Sequence, residues 1–116
     1  MPWWLSLMNS VVGCGSAAFG VVALLRPAAL APLGGTGPGG RFYPAMYAAR
    51  SVPLGALAAI AVWLSPARPL TALVLAAAAL AQAGDIVIGA RYRLPGMAVG
   101  AALAAACHTA GALLVL

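Results

Sequence analysis

Three ionisable residues lie inside long apolar stretches of the chain: Arg50, Asp85 and His108. Asp85, in the segment AQAGDIVIGA, is the one acidic residue of the 116, and His108 is the one histidine. An isolated charge in an apolar helix is costly, so a carboxylate there needs a partner or a function. We therefore expect Asp85 to form an ion pair with Arg50, with Gln82 one turn away to satisfy a remaining donor or acceptor.

Acid–base chemistry on a lipophilic molecule is what such a group of residues could perform. Asp85, kept ionised by Arg50, would orient the site, while His108 takes and returns a proton near neutral pH. Arg50 would stabilise an enolate, a phenolate or a carboxylate. The candidate ligand contacts around them are Tyr43, Tyr47, Gln82 and Asn9. This arrangement predicts binding of a lipophilic small molecule or, as an alternative, a membrane-embedded isomerase or cyclase.

The same residues also fit a purely structural interpretation, in which the protein is an accessory subunit of a membrane complex. Buried ion pairs often fix helix register without taking part in chemistry, and a single histidine is usually a packing residue. A cavity beside Arg50 and His108 would favour a ligand, whereas a core filled by side chains would favour the accessory role. No HxxxH or CxxC motif and no second carboxylate is present, so we expect no metal and no cofactor.

The composition places these residues in a membrane protein. Hydrophobic residues make up 65% of the chain, charged residues make up 6%, and the mean hydropathy is +1.06. A membrane-spanning helix needs about 20 mostly apolar residues. We therefore predict an all-α fold, a single transmembrane domain over residues 1–116 that forms an antiparallel bundle of four spanning helices. Their predicted ranges are residues 3–25, 42–64, 70–90 and 96–116.

Proline and glycine clusters mark the three connections between these helices. The first runs from Arg26 to Arg41, contains the glycine-rich residues 34–40, and could cover the membrane surface as a lid. The segments 65–69 and 91–96 are short enough for tight turns, which favours antiparallel neighbours. Counted from the membrane face shared by the first and third connections, at about 1.5 Å per residue, Arg50 lies about 12 Å deep, Asp85 about 8 Å and His108 about 18 Å.

The positive charge of the chain indicates topology rather than nucleic-acid binding. The net charge is +5, but the arginines stand at helix ends and form no basic face with interleaved aromatic residues. Connections rich in arginine stay on the cytoplasmic side. The first and third connections carry Arg26, Arg41, Arg91 and Arg93, whereas the second carries Arg68. We therefore expect both termini outside, in a bacterial cytoplasmic membrane with the lipid bilayer as the main partner.

Four short segments resemble a known family. FYPAMYAARSVPLG in the second helix, QAGDIVIG in the third, CHTAGALL in the fourth and RPAALAPLG after the first look like the small four-helix membrane proteins grouped as domain of unknown function 4267. The resemblance implies that architecture, with Arg50, Asp85 and His108 as its polar core. It implies no activity, since the family has none established. The GGTGPGG segment has no counterpart in the resemblance.

Transport and self-association are two further alternatives. Small multidrug exporters also have four spans and one membrane carboxylate, but their acid stands in the first helix, where this chain has Cys14. Arg50 beside Asp85 would repel a cationic drug, so transport is the less favoured alternative. Stripes of small residues in the first helix could join two copies as a homo-oligomer, or serve packing within one bundle or a larger membrane complex.

Overall fold

Four long helices form the part of the chain that the computed structural model describes, which is residues 1–30, 38–64 and 68–116. They are α1 (Trp3–Leu25), α2 (Phe42–Ala61), α3 (Arg68–Arg91) and α4 (Pro95–Val115). A single helical turn at Pro27–Leu30 and a 3-10 turn at Pro38–Arg41 lie in the first connection. The predicted all-α fold with four helices is confirmed, and the predicted ends differ from these bounds by three residues or fewer.

Two predicted loop features fall partly outside the described residues. Residues 31–37 belong to the lid predicted over 26–41 and include the first part of the glycine-rich segment 34–40, and residues 65–67 belong to the turn predicted at 65–69; both stretches lie outside the described residues. The described remainder shows that α3 begins at Arg68, before the predicted start at residue 70. It also shows that α2 ends at Ala61, three residues before the predicted end. The tight turn predicted at 91–96 is confirmed.

The helices pair as two antiparallel hairpins, α1 with α2 and α3 with α4. Glycine allows the close approach within each hairpin. A methyl group added at Gly13 would lie 2.6 Å from the Gly55 carbonyl oxygen, so the two backbones touch where neither residue has a side chain. In the other hairpin, a methyl group on Gly89 would lie 2.9 Å from the backbone nitrogen of Ala98. Small residues thus set the spacing inside each hairpin.

The turn between α3 and α4 is a helix-ending motif with an arginine in the place that glycine usually occupies. The Leu94 N–H donates to the Gly89 carbonyl over 2.7 Å, and the Arg93 N–H donates to the Ala90 carbonyl over 3.3 Å. These are the two hydrogen bonds of a Schellman motif, which requires a left-handed residue between them. Arg93 supplies it with φ 56°, a conformation that costs about 1–2 kcal/mol for a residue with a side chain.

Polar and small side chains lie inside the bundle, and large apolar side chains cover it. The buried core cluster contains Leu75 with three alanines, Ala58, Ala78 and Ala112. The buried polar residues are Ser6, Asn9, Ser51, Thr71, Asp85 and His108. Large exposed side chains occur along every long helix, for example Phe19, Leu57, Leu80 and Leu113. A protein folded in water rarely exposes so many large apolar side chains.

Three of the four long helices in the described residues are long and apolar enough to cross a membrane: α1, α3 and α4. Helix α2 has sufficient length, at 20 residues, but it is less apolar because it contains Arg50 and Ser51 together with two tyrosines and two prolines. Its polar residues therefore lower its hydropathy, and they include Arg50 of the predicted site.

Candidate functional site

The Arg50 guanidinium and the Asp85 carboxylate form the predicted ion pair. Arg50 Nη2 lies 2.5 Å from Asp85 Oδ1, and Arg50 Nη1 donates to the Ala81 carbonyl over 3.2 Å. Because Ala81 and Asp85 are one helical turn apart on α3, the planar guanidinium reaches both acceptors at once. The Asp85 side chain is 7% exposed and that of Arg50 is 39% exposed, so the acid is enclosed while part of the arginine faces outward.

The two candidate tyrosines of α2 have different surroundings. The Arg50 guanidinium carbon lies 5.5 Å from the centre of the Tyr47 ring, within the range of a cation–π contact. Tyr43 is 74% exposed and packs edge-on against Phe42, with ring centres 5.5 Å apart. Tyr43 stands seven residues before Arg50, or about 10 Å along the helix axis, in the first turn of α2. The structure therefore brings Tyr47 to the site and leaves Tyr43 outside it.

A second polar pair joins α1 to α4. His108 Nδ1 lies 2.8 Å from Asn9 Oδ1, and Asn9 Nδ2 donates to the Leu5 carbonyl over 2.9 Å. Both side chains are enclosed, with His108 1% exposed and Asn9 0% exposed. Because the Asn9 amide uses its N–H on Leu5, its oxygen accepts a hydrogen bond from His108 Nδ1. A neutral ring then carries its lone pair on Nε2.

Gln82 does not serve Asp85, in contrast to the prediction. Its Nε2 donates to Ser16 Oγ over 2.8 Å. Gln82 precedes Asp85 by three residues on α3, which turns its side chain about 60° away around the helix axis and toward α1. The predicted group of polar residues therefore forms three neighbouring contacts: Arg50 with Asp85, Asn9 with His108, and Gln82 with Ser16.

These contacts surround a small cavity. Its volume is about 10 Å³, and its walls include Ser16, Arg50, Ser51, Gln82, Asp85 and His108. A space of this size accommodates about one water molecule, so a lipophilic molecule cannot be enclosed in it. The expected internal ligand cavity is thus not observed, although the residues predicted to line it do meet there.

Ser51 is a cavity residue that the sequence reading missed. Its side chain is buried, and among the described residues its Oγ has no hydrogen-bond partner. A methyl group added at Gly20 of α1 would collide with this oxygen, so Ser51 is held inside the hairpin. The available signal was a hydroxyl side chain in an apolar helix, because serine in such helices usually faces a neighbouring helix.

Most of the side-chain hydrogen bonds between different helices connect the two hairpins. Arg50 with Asp85 and Ala81, Gln82 with Ser16, and His108 with Asn9 all connect one hairpin to the other. Thr71 adds a further one by donating to the Ala61 carbonyl over 3.0 Å. Polar groups therefore join the two hairpins, and Ser10 adds polar contacts inside the first hairpin. Its Oγ donates to the Ala59 carbonyl over 2.8 Å and accepts from Trp63 Nε1 over 2.8 Å. Close glycine contacts also lie within each hairpin.

The described residues contain no group of three histidine, cysteine or acidic side chains that could hold a metal ion. Comparisons with protein-family models, with curated proteins and with solved structures found no match.

Proposed function

We propose that the protein is an integral membrane protein in which all four long helices cross the bilayer. The observation that supports it is the distribution of side chains, with large apolar residues outside and polar residues inside. Soluble monomers rarely expose apolar patches of more than a few hundred Å². Helix α2 is included because it packs closely along α1 and directs Arg50 and Ser51 toward the bundle. Retention of the protein in the membrane pellet after alkaline carbonate washing, with release by detergent, would support insertion.

The proposed orientation places both termini outside a bacterial cytoplasmic membrane. Because the helices are antiparallel, Arg26, Arg41, Arg91 and Arg93 gather at one end of the bundle, opposite Arg68 and both termini. Such an excess of arginine favours the cytoplasmic side. A C-terminal alkaline phosphatase fusion should be active and a C-terminal green fluorescent protein fusion dark. The reverse pattern would contradict the orientation.

We further propose that the protein binds the polar end of a lipophilic molecule at Arg50. The observation that carries this function is the 39% exposure of the Arg50 side chain beside an almost enclosed Asp85. Two protein acceptors engage the guanidinium, which has five N–H donors. Donors left without acceptors at membrane depth are costly, so an oxygen acceptor from a lipophilic molecule would stabilise them.

The small cavity decides how such a molecule would lie. With about 10 Å³ inside, only its carbonyl, phenol or carboxylate oxygen could approach Arg50. Its apolar body would lie in the hydrocarbon against α2 and α3. These two helices pack less closely with each other than either does with its hairpin partner, so their seam is the natural approach to Arg50.

Catalysis of isomerisation or cyclisation is a more demanding alternative at the same site. It would use His108 Nε2 as the base and Arg50 to stabilise the negative charge that develops on the substrate. Both residues line the cavity. The reacting carbon would have to enter a space that fits about one water molecule, so the geometry supports binding better than catalysis.

An accessory subunit is the second candidate, and the filled core favours it. Polar contacts that join two hairpins account for Asp85, His108 and Gln82 without any ligand. In this case the exposed part of Arg50 would face another protein of a membrane complex or a second copy of the chain. The resemblance to domain of unknown function 4267 remains a proposal about architecture, and transport remains the less favoured function.

Mass spectrometry of molecules that co-purify with the protein in detergent separates the two candidates. The matched control is the double variant Arg50→Leu with Asp85→Leu, which removes both charges and leaves no unpaired one. A lipophilic compound enriched with the parent and lost from the double variant would support binding at Arg50. If no compound is enriched and a partner protein co-purifies with the parent alone, the accessory function is supported and ligand binding is contradicted.

A further inference from the structure

A surface groove at the turn between α3 and α4 is independent of the Arg50 site. The groove is shallow and open, with a volume of about 510 Å³, and its walls include Arg93, Leu94, Pro95, Ala98 and Val99. Apart from Arg93, these side chains are apolar, so the groove combines one cation at its rim with a hydrocarbon surface. It lies at the end of the bundle where four arginines gather.

The backbone of Arg93 adds a second observation. Arg93 occupies the left-handed position of the turn with φ 56°, where glycine would be adopted without strain. A strained residue at the edge of a groove is a sound starting point for a functional hypothesis. The arginine side chain brings to this position a guanidinium that can bind a phosphate through two parallel hydrogen bonds.

The neighbouring charges favour an anion in the groove. Arg91, the last residue of α3, is exposed two residues before Arg93. The groove also adjoins the first turn of α4, where the aligned peptide dipoles give the helix N-terminus a partial positive charge. The one acidic residue of the chain, Asp85, is already paired with Arg50. Nothing acidic in the protein therefore competes for the Arg93 guanidinium.

We propose that this groove binds an anionic phospholipid, with the lipid phosphate on Arg93 and an acyl chain along Leu94, Ala98 and Val99. The inference rests on membrane insertion but not on a ligand at Arg50. Basic pockets at the cytoplasmic ends of membrane helices suit anionic lipid head groups. A phospholipid is chosen over free phosphate because the apolar walls of the groove would contact an acyl chain and offer nothing to a small hydrophilic anion.

The left-handed turn allows the charge of Arg93 to be removed without strain on the backbone. Arg93→Gly removes the charge and places the residue that this backbone conformation prefers, so the fold is retained. Arg68→Gly is the matched control, since Arg68 is an exposed arginine at the opposite end of the bundle. Native mass spectrometry would count lipids bound to each protein in detergent with phosphatidylglycerol and phosphatidylcholine at equal concentration.

The parent should bind phosphatidylglycerol in preference to phosphatidylcholine. Arg93→Gly should lower phosphatidylglycerol binding about fivefold, the contribution of one arginine at a membrane surface, and Arg68→Gly should leave it unchanged. The Arg50→Leu and Asp85→Leu double variant should keep the preference, which separates this groove from the Arg50 site. An equal loss in both glycine variants, or no loss in Arg93→Gly, would overturn the proposal. Displacement of the lipid by millimolar inorganic phosphate would overturn it as well.

Discussion

Removal of one partner from the Arg50–Asp85 pair should have unequal consequences, depending on which partner is removed. Arg50→Leu leaves the Asp85 carboxylate, 7% exposed, without its cation. A buried charge that loses its partner typically costs about 3–5 kcal/mol of folding free energy. Asp85→Leu leaves Arg50, which is 39% exposed and still donates to the Ala81 carbonyl. We expect that variant to cost about 1–3 kcal/mol, because the remaining charge is partly accessible and keeps one acceptor.

The double variant should recover most of this loss. With both side chains replaced by leucine, no charge is left unpaired, and the cost should fall to about 2 kcal/mol or less. The measured coupling between the two substitutions should therefore be at least about 2 kcal/mol in favour of the double variant. A coupling of that size is larger than the average for polar contacts between membrane helices, about 0.6 kcal/mol, because this contact joins two full charges.

Equilibrium unfolding of the detergent-solubilised protein measures these differences, with tryptophan fluorescence as the signal from the three tryptophans. Arg68→Leu is the control for the loss of an exposed arginine and should change the unfolding free energy by less than about 0.5 kcal/mol. A larger loss for Asp85→Leu than for Arg50→Leu would refute the reasoning from exposure. Additive single effects would refute the ion pair as an energetic unit.

Three further predictions follow from the packing and are measured by thermal unfolding in detergent. Gly13→Ala should destabilise the protein by about 1–3 kcal/mol, because its methyl group would meet the Gly55 carbonyl. Gly15→Ala is the control, because its methyl group meets nothing within 4 Å, and it should be neutral or stabilising by up to about 1 kcal/mol. Equal effects of the two changes would contradict the close contact. Asn9→Ala should cost about 1–3 kcal/mol, since it leaves His108 Nδ1 without a partner, and an unchanged midpoint would refute the Asn9–His108 hydrogen bond. Arg93→Gly should raise the midpoint in micelles of a zwitterionic detergent without anionic lipid, because glycine adopts φ 56° without the cost that an arginine bears. A lower midpoint would contradict the left-handed turn and the groove built on it.

The helices and the ion pair could be predicted from the sequence because each depends only on the order and spacing of residues along the chain. Proline and glycine clusters mark helix ends, and the rise of about 1.5 Å per residue gives the depth of each side chain. Arg50 and Asp85 were thereby placed at similar depth on antiparallel helices, and their charges left few other ways of reducing the cost of burial.

The remaining contacts depend on how the two hairpins rotate against each other, which no local pattern specifies. Asn9 and His108 are 99 positions apart, on α1 and α4. Depth alone could not select them as partners, because it does not specify which faces of these two helices meet. Rotation also decides that Gln82 faces Ser16 instead of Asp85. The volume of the cavity was beyond prediction for the same reason, because it is the space that remains after every side chain of four helices is placed.

The polar residues of the candidate site also join the two hairpins, so their structural and functional roles are difficult to separate. In a bilayer the hydrophobic effect does not hold helices together, so association depends on close packing and polar contacts. Close glycine contacts and the hydrogen bonds of Ser10 lie within the hairpins, whereas the polar contacts of Arg50, Gln82 and His108 join one hairpin to the other. A ligand that engages Arg50 would therefore act on the contact that joins the hairpins. If it draws the guanidinium outward, it weakens the bond to Asp85 and opens the seam between α2 and α3. Binding and hairpin separation should then be coupled, so that a bound lipophilic acceptor increases amide exchange along that seam while leaving the glycine contacts of α1 with α2 protected.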